Sequence, residues 1–490
     1  MTLKVNNAAG KLWLACLLLL AVSSLFCQFS GGTGTVDDPF LVGDVSDLNN
    51  IRNYLSYHYK QIANINLDVP PFNQGTGWVP IGTWVYYNDP QNVPFTGSYN
   101  GNGYLISNLF IDNSANPTKA LFGFTQNAWL FGVALRNIYV NCNFRGAGLV
   151  AYSYNSDLEK CTVTGRVTGT GNSLGMLVAV SELTNIHQCA ADGVMDGDAD
   201  MVGGLVGFNK YPATISNSFT TGQISGDENV GGLIGYNMSQ AGLISSYSSA
   251  DVSGRNYVGG LVGVSYSSCT YSDSYALGTV TGTNYAGGLI GFAATSTLSN
   301  CYSVGRVTAS VAYGGLVGSH TQSTASSCYW NTETSELTNS ALGEGRTTDN
   351  MVYPFASDTY MGWDFTYTWT YDAEGLINGG YPFLNNMTVV SSEQTALPRP
   401  DLMLSSYPNP FRTSAIIGFS LPKSSEASLE IFNLKGQKIR TLHSALLAKG
   451  EHSFAWDGKT DKGEPLPGGI YLCRLKGNGF SSVRKLTLMK

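Results

Sequence analysis

The side chains with the clearest chemical potential are the carboxylates of the segment DGVMDGDAD, where Asp192, Asp196, Asp198 and Asp200 fall within nine residues. An extended chain sends alternate side chains to the same side, so Asp196, Asp198 and Asp200 would share one side. Three hard oxygen donors so placed could hold Ca²⁺, with Asp227 and Glu228 as further ligands. The competing reading of the same residues is a solvated acidic turn. Paired carboxylates could instead do acid/base work on a sugar, but no Lys or Arg stands close in sequence to serve as a lyase base. The five histidines, His58, His187, His320, His443 and His452, are scattered, and neither HExxH nor GxSxG occurs. Zinc-protease and serine-hydrolase chemistry therefore have no anchor.

A second set of residues is marked by regular spacing. Phe219, Tyr247, Tyr275, Tyr302 and Tyr329 each follow a Ser or Cys by one residue, in a column whose small members are Cys161, Cys189, Ser218, Ser246, Ser274, Cys301 and Cys328. If the small residues point inward, the aromatic ones point outward. There they could dock sugar rings or another protein; mutual stacking within the structure is the alternative. The four cysteines of the column read as a small-residue core ladder. Cys161 with Cys189, or Cys301 with Cys328, could bridge in an oxidising compartment only if their parallel side chains rotated toward each other. No CxxC pair suggests a thiolate metal site. No cofactor other than calcium is indicated.

The element that must position these residues is a repeat. Aligned on GGLVG, the register points are Lys119, Ala147, Gly175, Gly203, Gly231, Gly259, Gly287 and Gly314, separated by 28 residues six times and then by 27. Two residues after each comes Leu: Leu121, Leu149, Leu177, Leu205, Leu233, Leu261, Leu289 and Leu316. A 28-residue period admits a helix pair or a coil of short strands. The unit GGLIGYNMSQAGLISSYSSADVSGRNYV decides, because it is rich in β-branched and aromatic residues, punctuated by Gly, and has no 3.6-residue stripe. Three short strands per coil are expected, near Leu233–Asn237, Leu243–Ser248 and Asp251–Ser253, in a right-handed parallel β-helix that stacks Leu on Leu. A propeller blade needs four strands and more residues. The open ends of the stack need caps, for which Thr33–Asp68 and Thr347–Leu384, the latter with Trp363, Trp369, Tyr381 and Phe383, are candidates.

Composition agrees with an all-β chain. The 490 residues contain 58 Gly and only 12% charged residues, and the formal net charge of -7 with no Lys/Arg-rich run gives no footprint for nucleic acid. Lys4 and Lys11 precede an apolar stretch, Leu12 to Phe26, that reads as a signal peptide and is short for a membrane span. Phe26 before Cys27 disfavours lipidation, and no other segment is apolar enough to span a bilayer. After Leu384 the period vanishes. A polar linker with Pro398 and Pro400 leads to alternating segments, Ala427–Phe432, Lys438–Leu442, Ser453–Trp456 and Ile470–Leu475, which predict an antiparallel sandwich of about seven strands.

The repeats resemble GLUG motifs, named for the Gly-Leu-apolar-Gly core, which occur in large bacterial surface proteins and beside the catalytic parts of some IgA-cleaving metalloproteases. The flanking segments GTVDDPFLVGDVSDLNNIRNYLSYHYKQIANINLD, FTGSYNGNGYLISNL, CYWNTETS, MGWDF and GGYPFL are similar to those that bracket GLUG arrays. The C-terminal part resembles the sorting domain of type IX secretion cargo, related to the Ig-like domain of the flagellar hook-capping protein. The matching residues are Tyr407, Pro408, Asn409 and Pro410 of YPNPF, Gly436 of IFNLKGQKI, Trp456, Asp457 and Gly458 of WDGKTDKG, and Gly469 and Tyr471 of GGIY.

Together these features divide the chain into a signal peptide at 1–27, an N-terminal cap with the first coils at 28–118, the GLUG-repeat β-helix at 119–346, C-terminal coils or cap at 347–386, a linker at 387–401 and an Ig-like sorting domain at 402–490. The resemblances imply a secreted or cell-surface, non-catalytic, adhesin-like protein on the outside of a Gram-negative bacterium. Its C-terminal domain would meet the type IX secretion machinery, and its solenoid a glycan or a cell-surface protein. Two alternatives stay open: a polysaccharide lyase or glycosidase built on the β-helix, and a structural surface-layer component.

Overall fold

The computed structural model describes residues 29–112 and 117–385 and, nearer the C-terminus, 405–407, 411, 414–421, 424–433, 437–448, 450–477 and 480–489. The expected signal peptide and linker lie outside these residues. The chain divides into two units, Met1–Ser392 and Glu393–Lys490. Among the described residues no helix is long and apolar enough to cross a membrane.

Stacked leucines organise the first unit. All eight leucines of the column are 0% exposed. Their backbones join coil to coil, with the Leu205 N–H donating to Leu233 O at 2.9 Å and the Leu233 N–H to Leu261 O at 2.9 Å. Each buried Leu contributes about 2 kcal/mol of hydrophobic stabilisation. A column of this kind forces the chain to wind, because each coil completes the core of its neighbours. The result is a parallel β-solenoid of about 28-residue coils.

Each coil contributes to four parallel sheets, one more than the three-strand expectation. In the coil that begins near Gly231, Asn256–Gly259 belongs to a glycine sheet of eight strands and Ile234–Met238 to a leucine sheet of eight. Gly242–Ile244 joins an eleven-stranded Ser/Thr sheet, and Tyr247–Ser248 with Asp251–Ser253 a wide sheet of fifteen strands. The glycine strand was missed because a Gly-Gly pair reads as a turn. The first register point also slips: Lys119 pairs with Gly146, not Ala147, while Phe122 resumes the 28-residue register with Val150.

The wide sheet has a corner in it. Strands Thr162–Gly169, Ala190–Asp196 and Phe219–Ser225 each pass through a glycine of positive φ: Gly165 at 142°, Gly193 at 152° and Gly222 at 105°. These glycines stack in register, and a Cβ on Gly193 would meet Gly165 O at 2.1 Å. No other residue fits such an approach without moving backbone.

The two flanking segments do more than close ends. At the N-terminal side a short helix, Val45–Asn50, is capped by Asp44, whose carboxylate accepts from the Asp47 N–H at 2.9 Å, and it buries Leu48 in the solenoid core. Residues 78–95 then lie along the leucine sheet, where Ile81 bridges to Phe122 and Phe95 to Thr125. At the other side Glu344–Arg346 adds a last strand to the wide sheet. The following residues, expected as an end cap, fold back along the side of that sheet and bury Met351, Tyr360, Trp363, Trp369 and Tyr381 against it.

The second unit shows seven strands among its described residues. Ser405–Tyr407, Ala415–Leu421 and Gly450–Trp456 form one antiparallel sheet; Lys438–Leu447, Ser425–Asn433, Gly469–Gly477 and Phe480–Leu488 form the other. Ile417, Phe419 and Trp456 from the first meet Leu429, Ile431, Cys473, Leu475 and Leu486 from the second in one core, the packing of an Ig-like sandwich.

Candidate functional site

The acidic segment does not bring its carboxylates together on one side of a strand. Its strand stops at Asp196, so the alternation that would align Asp198 and Asp200 with it ends there, and all three side chains are exposed. Asp196 is held by Arg166, Nη2 to Oδ2 at 2.7 Å, across two coils of the wide sheet. Asp227 and Glu228 are likewise taken by Arg255, at 2.7 and 3.1 Å, and the hydrogen bond from Arg255 holds the Asp227 carboxyl below its ordinary pKa. Among the described residues no three His, Cys, Asp or Glu side chains come together as a metal site.

The aromatic column does point away from the leucine core, but it is not a free ligand face. Phe219, Tyr247, Tyr275 and Tyr302 stack with centroids 5.0, 4.8 and 4.9 Å apart and ring planes within 7° of parallel. Trp369 lies 5.9 Å from Tyr275 and 6.0 Å from Tyr302, while Tyr360 closes on Tyr329 at 5.5 Å. Tyr302 OH donates to Pro382 O and accepts from Asn378 Nδ2, both at 2.6 Å. All five column members are buried. The chain's own C-terminal segment occupies the place assigned to a ligand, and in-register stacking turns ring faces toward each other. The cysteines of the neighbouring column are buried free thiols, and burial pushes that of Cys189 up.

An accessible site is found on the other side of the glycine corner. Two adjoining depressions, of about 410 and 560 Å³, share Arg166 and make a trough along the outer face of the wide sheet. The first is lined by Asp68, Asn73, Asn108, Phe110, Asn137 and Tyr139. The second runs on over Asp196, Gln223, Ser225, Asp251, Ser253 and Thr281. Register places Phe110, Tyr139, Arg166, Val194, Gln223 and Asp251 in one column along the axis.

The amides at the corner are locked to one another. Asn137 Nδ2 donates to Asn108 Oδ1 at 2.5 Å, and Asn108 Nδ2 to Asn66 Oδ1 at 2.8 Å. Both Asn108 and Asn137 have the positive φ that Asn tolerates, 61° and 53°. The half-buried rings of Phe110 and Tyr139 stack at 5.7 Å beside them. A trough of ring edges, amides, carboxylates and one guanidinium can hydrogen-bond hydroxyl groups and cover C–H surface. Sequence reading missed it because its members recur at the period of the coil without being alike; the one available signal was the Gly165, Gly193, Gly222 column that turns the sheet.

A second polar cluster is covered. On the leucine sheet Tyr152 donates to Glu182, which Lys210 also grips at 2.6 Å, and Trp84 lies flat on Tyr152 at 4.7 Å with the Arg145 guanidinium 3.9 Å from its ring centre. Burial lowers the Arg145 pKa to about 10. This cluster pins the 78–95 segment to the solenoid.

In the second unit, Tyr407 lies in a strand, whereas Pro408, Asn409, Pro410 and Gly436 fall outside the described residues. Trp456 is fully buried, between Phe411 at 5.4 Å and Tyr471 at 5.3 Å, and its indole donates to Lys459 O. Gly458 turns the chain at φ 70°, Asp457 pairs with Arg440 at 2.5 Å, Gly469 opens a strand, and Tyr471 OH donates to Pro467 O at 2.8 Å. Trp456, Asp457, Gly458, Gly469 and Tyr471 thus each have a structural role within the sandwich.

Known proteins are similar to this chain in parts. Residues 282–308, one coil, match the GLUG motif family, and residues 411–479 match the FlgD Ig-like domain family. Halomucin of Haloquadratum walsbyi is 34% identical over 158 residues, which is 31% of this chain and 2% of halomucin. A candidate Gly-rich membrane protein of Evansella cellulosilytica is 36% identical over 115 residues, 23% of this chain and 12% of that one. The chain thus spans only a small part of either relative. A crystal structure of a candidate immunoglobulin A1 protease from Bacteroides ovatus aligns over 73% of this chain and 95% of its own, at 15% identity and a TM-score of 0.42. The chain is an all-β protein in which a parallel β-solenoid bearing the GLUG motif is followed by an antiparallel region that resembles the FlgD Ig-like domain.

Proposed function

We propose that this is a cell-surface or secreted, adhesin-like protein whose solenoid holds an extended glycan in the trough beside the glycine corner. The observation that carries the reading is the trough itself: a polar, open channel crossing several coils, with the stacked Phe110 and Tyr139 rings at one end. A linear polymer fits a groove that repeats along an axis. The carboxylates of the trough favour binding over hydrolysis. Asp196 and Asp251 sit two coils apart, roughly 10 Å along the axis at the usual inter-strand spacing, whereas glycosidase pairs stand ~5–5.5 or ~6.5–9.5 Å apart. The names of the relatives, halomucin and a membrane protein, support a surface location. Export through the type IX route on a Gram-negative cell, directed by residues 402–490, rests on the sequence resemblance. It is tested by comparing surface exposure of the full chain with that of a chain ending before 402.

Binding is tested on a glycan array with the full-length protein, with and without a calcium chelator, beside the Tyr139→Ala variant. The expected result is binding to linear glycans, indifferent to the chelator and weakened about tenfold by Tyr139→Ala. Binding unaffected by that substitution, or abolished by the chelator, would overturn the assignment of the trough.

A further inference from the structure

We infer that the trough selects its glycan by charge, accepting neutral polysaccharides and, more tightly, those bearing protonated amines, while turning polyuronates away; this rests on the reading of the trough as a glycan site. The two depressions set three carboxylates, Asp68, Asp196 and Asp251, against one guanidinium, that of Arg166. That guanidinium gives one N–H to Asp196 at 2.7 Å, so the carboxylates outnumber the cation and the trough is net negative.

Among the described residues the other two carboxylates accept from neutral donors. Asp68 accepts from Asn73 Nδ2 at 2.9 Å, and Asp251 from the Thr279 backbone N–H at 2.9 Å. Among the described residues no Lys or Arg forms an ion pair with either. The next cation along the column that holds Arg166 and Asp251 is Arg306, which is held by Glu336 at 2.8 Å, and Arg136 stands on the far side of the glycine corner. The chain's net charge of -7 adds a long-range field of the same sign. A polyuronate entering the trough would place its carboxylates beside Asp68 and Asp251, with only Arg166, already paired with Asp196, to meet them. A glucosamine polymer would bring the missing counter-charges itself.

Titration calorimetry on the full-length protein with three hexasaccharides tests this: fully deacetylated chitohexaose, cellohexaose and hexagalacturonate, at low and high salt. The amino sugar is expected to bind about fivefold more tightly than cellohexaose at low salt and equally at high salt, because a partly exposed charge pair is worth about 1 kcal/mol and is screened. Asp251→Asn and Asp68→Asn should each reduce that preference, read as the ratio of amino-sugar to cellohexaose affinity on the same variant, and hexagalacturonate should bind the natural protein more weakly than either of the other two sugars. Hexagalacturonate binding as tightly as cellohexaose, or an amine preference that survives both substitutions, overturns the inference. Cellohexaose binding with no amine preference overturns the charge selection but leaves the glycan site standing. Failure of all three sugars to bind overturns the glycan reading and the inference together.

Discussion

Lys119 shows how one residue can depart from a repeat at a cost. Its place in the sequence repeat is one that later coils fill with Gly or Ala, but in the structure it pairs one residue off that register, with Gly146, and is buried there, so desolvation lowers its pKa to about 8. A lysine whose folded pKa is depressed penalises the fold while both states are protonated. The penalty fades as pH rises from about 8 toward the unfolded value of ~10.4, where the unfolded chain binds more protons than the folded one. Lys119→Met should therefore be more stable than the natural protein at pH 7, and the difference in Tm should shrink steadily up to about pH 10.5. A difference constant with pH would show that the ammonium is not the cause. Asp198 teaches the complementary lesson. Its spacing from Asp196 was visible, but side-chain alternation has meaning only inside a strand, and the strand ended first.

At the scale of the element, the informative feature is the segment that folds back over the wide sheet. Trp369 bridges Tyr275 and Tyr302 and donates its indole N–H to Asp273 Oδ1 at 3.1 Å. Trp369→Ala should cost the docking of this segment about 3 kcal/mol, the usual range for truncating a buried aromatic residue. Limited proteolysis within 347–385 should then become rapid while the far-ultraviolet circular dichroism of the solenoid is retained. Loss of the β signal together with the segment would mean that it is part of the solenoid core and not a cover on it. The aromatic residues of this segment were legible as a candidate cap. Their placement was not, because an apolar cluster records that it must be buried but not against which face. The same ambiguity hid the role of Trp84, which covers Tyr152 on the leucine sheet.

At the scale of the whole molecule, stability is carried by contacts between adjacent coils. Leu233 lies between Leu205 and Leu261 in mid-stack, so Leu233→Ala removes packing from the coils on both sides. A loss of about 3 kcal/mol is expected, read as a lower denaturant midpoint for the solenoid transition. An effect under about 1 kcal/mol would mean that the column is not continuous. The Leu column, the parallel winding and the sandwich core were all determined by the sequence alone, because each is a local pattern repeated or alternated often enough to admit one arrangement. The trough and the covering of the aromatic ladder were decided only by tertiary structure. Both depend on which surfaces meet after winding: a glycine column turns a sheet, residues from many successive coils line its outer face, and a distant segment claims the neighbouring face first. Periodicity states which side chains leave the core, but whether water, ligand or more of the same chain receives them is a property of the assembled surface.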